Sequence, residues 1–86
     1  MVSRTDSDDF KKKRFQFLLK CHKLSGAHES FRLDMDEVGK ELGFEPEVKN
    51  AVVDYLLQEG SIKSLGIGSV ISITARGIAQ VERTRA

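Results

Sequence analysis

Cys21 and His22 are adjacent, with His28 not far along the chain, and a thiol beside an imidazole is the pairing that activates nucleophiles and binds zinc. On a helix, however, neighbouring side chains do not face each other, and His28 alone does not complete a tetrahedral ligand set. A buried core cysteine is the expected role for Cys21. The acidic run Asp34 to Glu37 invites calcium, but it lacks the alternate oxygen ligands over twelve residues and the central glycine of a calcium loop. Its Asp and Glu, three residues apart, fit a helix cap instead. The segment Gly66 to Ser69 is too short to cradle a phosphate, and no lysine-serine pair opens a helix behind it. No serine, histidine and acid carry the signature of a hydrolytic triad. A substrate pocket would also consume core that 86 residues can hardly spare. No catalytic residue, metal or cofactor is therefore expected, and the chain does not read as an enzyme.

The remaining chemistry is charge. Lys12, Lys13, Lys20 and Lys23 gather with Gln16 on one stripe of the first helical segment, with Arg14 nearby. The stripe is the best anion-binding candidate, set against the plainer role of a solvated face that keeps the protein soluble. Fourteen basic and thirteen acidic residues leave a net charge of +1, so nothing draws the whole chain to nucleic acid and any basic surface must be local. No apolar run approaches the roughly 20 residues that cross a bilayer, and the opening residues lack the apolar core of a signal peptide. A cytoplasmic protein without membrane contact is expected, and the single cysteine agrees with a reducing compartment.

One domain of 86 residues, with its core at about 8–82 and residues 1–6 disordered, must position these groups. A first helix from about Ser7 to Leu24, capped by Asp6 or Ser7, places Phe10, Phe17, Leu18, Cys21 and Leu24 on one face. Phe15, Leu19 and His22 widen that face, so cover is expected on two sides. A loop follows, in which Phe31 to Leu33 could form a very short strand. A two-turn helix then carries Met35, Val38 and Leu42 inward and stops at Gly43. Pro46 suits the first position of a third helix, with Val48, Ala51, Val52, Tyr55 and Leu56 on its core face and Gly60 as its stop. Two helices joined by so short a turn make a helix-turn-helix. Two β-rich runs around Gly66-Ile67-Gly68 predict a hairpin, with Ile71 and Ile73 on one side. A final short helix, capped by Thr74, turns Ile78 and Val81 inward. Its last turn is expected to fray or to belong to something longer.

This order resembles a winged helix-turn-helix domain of the bacterial and archaeal transcription-regulator type. The resemblance rests on ELGFEPEVKNAVVDYLLQEG, similar to the turn and reading helix of such regulators; on SIKSLGIGSVISI, similar to the wing; and on ITARGIAQVE, similar to the threonine-x-x-glycine ending after it. It covers about Phe10 to Glu82. It implies an α+β fold with a three-helix core, a two-stranded β-hairpin wing and a short C-terminal helix. It also implies a DNA-binding protein, with the third helix in the major groove and the wing on the backbone or minor groove. Carried onto this chain, the outer residues of the third helix are Pro46, Glu47, Asn50, Val53, Asp54 and Leu57, with Lys49 to one side. Asn50 would pair with adenine, Lys49 would reach a phosphate, and Lys63 would serve on the wing.

Two functional readings follow. The first is a DNA-binding regulator or regulator domain, probed on double-stranded DNA as a homodimer. Against it stand Glu45, Glu47 and Asp54 and a wing tip, Leu65 to Gly68, without charge, whereas specific sites commonly rest on about 6 to 10 neutralised phosphates. The second is a winged helix that binds a partner protein, by itself or within a larger regulatory protein, through the acidic third helix or through Val53 and Leu57. A wide apolar arc on a central helix would instead place Val53 and Leu57 in the core.

Overall fold

The computed structural model describes residues 2–66 and 68–85. Along the chain lie α1 (Val2–Ser25), β1 (Leu33–Asp34), α2 (Met35–Glu41), α3 (Pro46–Glu59), β2 (Ile62–Ser64), β3 (Val70–Ile73) and α4 (Ala75–Arg85). The α+β class holds, and four helices pack around one antiparallel sheet of order β1-β3-β2. The order of elements is compatible with a winged helix-turn-helix.

The expected two-stranded wing has a third member. Leu33 and Asp34 pair with Ile71 and Val70, so the short strand glimpsed in the sequence covers the free edge of β3. Central β3 is thereby enclosed: Ile71, Ser72 and Ile73 are all buried, and the Ser72 hydroxyl donates to the Glu29 carbonyl instead of facing the interior unpaired. Between β2 and β3, Ile62 faces Ile73 and Ser64 faces Ile71. The Leu65 amide bonds the Val70 carbonyl at 3.1 Å and closes the loop. Of the expected uncharged tip, Ile67 lies outside the described residues.

The helix starts follow the sequence with one exception. α1 begins at Val2, so Asp6 and Ser7 lie within it and not at its cap. Asp34 caps α2 by accepting from the amides of Asp36 at 2.9 Å and Glu37 at 3.4 Å. Pro46 opens α3, as expected.

The end of α3, the start of β2 and the start of α4 meet in one junction. Gly60 closes α3 with φ of 81°, a left-handed conformation that glycine adopts without steric cost. The Thr74 hydroxyl donates to the Gly60 carbonyl at 2.6 Å and accepts from the Gly77 amide at 3.1 Å, capping α4 while holding the end of α3. The Thr74 amide bonds the Ser61 carbonyl at 3.1 Å, and the Ser61 hydroxyl donates to Gln80 at 2.8 Å. Gly77 packs so closely here that a methyl group would overlap the Ser61 carbonyl and lie 2.9 Å from the Ile73 side chain. The threonine-x-x-glycine pattern is thus a cap and a close approach in one motif.

Two core assignments need correction. On α1, Phe17, Leu18 and Cys21 are buried, but Leu24 is 41% exposed because the helix ends beside an open groove. On α3 the buried face is Val52, Val53 and Leu56, flanked by half-buried Val48, Lys49 and Leu57. Ala51 and Tyr55 face outward. α3 packs on α1, α2 and β2 at once, and three neighbours demand an arc centred about one residue further round than the strongest apolar stripe suggests.

Candidate functional site

The outer face of α3 presents Glu47, Asn50, Ala51, Asp54, Tyr55 and Gln58, all exposed. Glu47, Asn50 and Asp54 therefore stand together, as the sequence suggested. Val53 and Leu57 do not join them. Val53 is 4% exposed within the core, and half-buried Leu57 packs against that core, so neither stands among the exposed residues of this face.

Lys49 also departs from its expected place. Its stem lies across Gly39, where a methyl group would come within 2.8 Å of the Lys49 side chain, and its ammonium pairs with Asp36 at the start of α2. The hydrogen bond from Lys49, helped by one from Ser69, holds the Asp36 carboxyl below its usual range. Lys49 thus clamps α3 to α2, and only 14% of its side chain is exposed. The outer face of α3 is left with two carboxylates and no cation. Lys63, on β2, is exposed.

Beside the acidic pair sits a group that the sequence reading missed. Arg14 of α1 lies over the Tyr55 ring at 3.7 Å and near the Phe10 ring at 5.3 Å, while Phe10 and Tyr55 meet edge to face at 6.0 Å. Phe10 and Arg14 are one turn apart, so their shared face was visible in the sequence; assigning Tyr55 to the core concealed its part. Next to this cluster, Asp9, Phe10, Lys13, Glu47, Val48 and Ala51 line an open groove of about 280 Å³. Tyr and Arg are the side chains that most often anchor protein interfaces.

The lysine stripe on α1 is divided. Lys13 pairs with Asp9 and Lys20 with Glu41 at 3.1 Å, whereas Lys12 and Lys23 are exposed and make no ion pair among the described residues. Cys21 is fully buried, and desolvation pushes its pKa up to about 12, so it is a neutral thiol at ordinary pH. His22 faces Glu82 of α4 at 3.3 Å and not Cys21. Among the described residues no cluster of three His, Cys, Asp or Glu could hold a metal ion, and no helix is long and apolar enough to cross a membrane.

Comparison with family models, with curated proteins and with solved structures finds no match to this chain.

Proposed function

We propose that this chain is a winged helix-turn-helix module that binds a partner protein through the outer face of α3, with a basic surface of the partner meeting Glu47 and Asp54 and Tyr55 serving as the anchor. The observation that carries this reading is that α3 exposes two carboxylates and no cation, because its single lysine is tied to Asp36. Phosphate binding scales with the number of cations offered, and a duplex would place its own negative charge against Glu47 and Asp54. Tyr55, 38% exposed and braced by Arg14 and Phe10, is by contrast an ordered aromatic group that loses little freedom on docking.

The chain has one tyrosine and no tryptophan, so its intrinsic emission reports Tyr55 alone. A helical peptide bearing lysines, arginines and one tryptophan is the probe, with energy transfer from Tyr55 as the readout. Saturable transfer that is lost in Glu47→Lys/Asp54→Lys is expected. Absence of transfer, together with steeply salt-dependent binding of mixed duplex DNA by the wild-type chain, would overturn the reading.

A second reading, DNA binding in the manner of the regulators the sequence resembles, is favoured by the exposure of both Asn50 on α3 and Lys63 on the wing. The same duplex titration decides it, since the phosphate contacts it needs would appear as a salt slope.

A further inference from the structure

A second surface shares no residue with the outer face of α3. Leu24, at the end of α1, and Phe31, just before β1, are 41% and 48% exposed, the two most exposed large apolar side chains among the described residues. They line one open groove of about 310 Å³, with buried Leu33 and Val38 also in its wall. Large apolar side chains gathered in one groove mark an interaction site more often than scattered ones do.

The charged groups around this apolar centre are mostly acidic. Asp34, Glu37 and Glu41 line the groove against a single cation, Arg32. Lys20 engages Glu41 at 3.1 Å, and even with that ammonium counted the balance stays negative. Asp34 caps α2 through Oδ1 alone, so it keeps its charge and a second oxygen that accepts no hydrogen bond among the described residues. Glu37, three residues on, is exposed and makes no ion pair among the described residues. Two carboxylates thus stand open beside an exposed phenyl ring, a setting that repels nucleic acid or an acidic segment and suits a cation.

The sheet decides the form of the occupant. β1 is an edge strand but only two residues long, so an extended segment finds too few amides and carbonyls there to pair with. A helix satisfies its own main chain and needs only side-chain contacts.

We propose that this groove receives a basic amphipathic helix of a partner protein, with apolar side chains packed on Leu24 and Phe31 and a lysine or arginine held by Asp34 and Glu37. The apolar contact supplies most of the affinity, and the carboxylates select the charge of the occupant. The site is separate from the one on α3 and stands or falls independently of what α3 binds.

The test is amide NMR of the isotope-labelled chain, titrated with a peptide of about 15 residues in which leucines and lysines alternate at helical spacing. Signals of Leu24, Phe31 and Glu37 read the groove and those of Asn50 and Asp54 read the outer face of α3, so failure of either site is visible without the other. The groove signals are expected to move saturably, with a midpoint below about 1 mM. Phe31→Ser is expected to weaken that binding at least about tenfold. Glu37→Gln is expected to weaken it about threefold. Both side chains are exposed, so the circular dichroism spectrum should stay unchanged. A peptide with glutamate in place of every lysine is expected not to bind. Groove signals that never move would overturn the proposal, and so would equal binding of the glutamate peptide or indifference to either substitution. Movement of the same signals when the chain is concentrated without peptide would also overturn it, by giving the groove to a second copy.

Discussion

At the C-terminal end of α3, Gly60, Ser61, Thr74 and Gly77 close on one another until even a methyl group has no room, whereas along the outer face of the same helix six side chains stand exposed. The first region spends its polar groups on itself: Thr74 donates to Gly60 and accepts from Gly77, and Ser61 donates to Gln80. The second leaves Glu47 and Asp54 unpaired among the described residues, with Tyr55 supported from one side by Arg14. The lesson is that one helix can be fixed at its end and along its inner face while its outer face is kept for something else. A domain this small has few positions for both purposes, so it separates them by helix face.

The sharpest way to break this contrast is Gly77→Ala. If the junction is as close as described, the added methyl must move backbone, and chemical denaturation should show a loss of about 3 kcal/mol or failure to fold. A change below about 0.5 kcal/mol would mean that α4 can slide and that the junction is loose. Val53→Ala is next. It should cost roughly 2 kcal/mol as a buried deletion, while Tyr55→Ala, two residues further on, should cost well under that. Equal losses would mean that α3 has no distinct outer face. The smallest effect concerns pH. The Asp36 carboxyl is lowered in the folded chain by its bond with Lys49, so the stability it lends is present above its ordinary value and lost as pH falls through its folded one. Denaturation midpoints followed from neutral pH downward should fall less in Lys49→Met than in the wild type.

Much of the architecture was legible because local chemistry agreed with global packing. Pro46, Gly60, Asp34 and Thr74 each mark a boundary through a specific hydrogen bond or dihedral angle, and each stands where expected. β1 was only suggested, because two residues carry too little periodicity to announce a strand and their pairing with β3 is set at long range. The face of α3 was misjudged for a related reason. Val52 and Val53 both belong inside, and sequence periodicity finds the strongest single stripe where three neighbours require a broad one. The candidate site suffered accordingly: Glu47, Asn50 and Asp54 do share the exposed face of α3, while Lys49 was credited with a solvent role that its contact with Gly39 and Asp36 denies. A lysine whose stem crosses a glycine on another helix has no local signature, since the glycine that admits it lies ten residues away.

The two margins of the sheet, β1 and β2, are only two and three residues long. Each exposes too few amides and carbonyls to template an incoming strand, which is how natural proteins avoid runaway stacking. A solution of this protein should therefore stay clear of fibrils when concentrated, and any association it shows should stop at a defined stoichiometry, held by side chains in place of main chain.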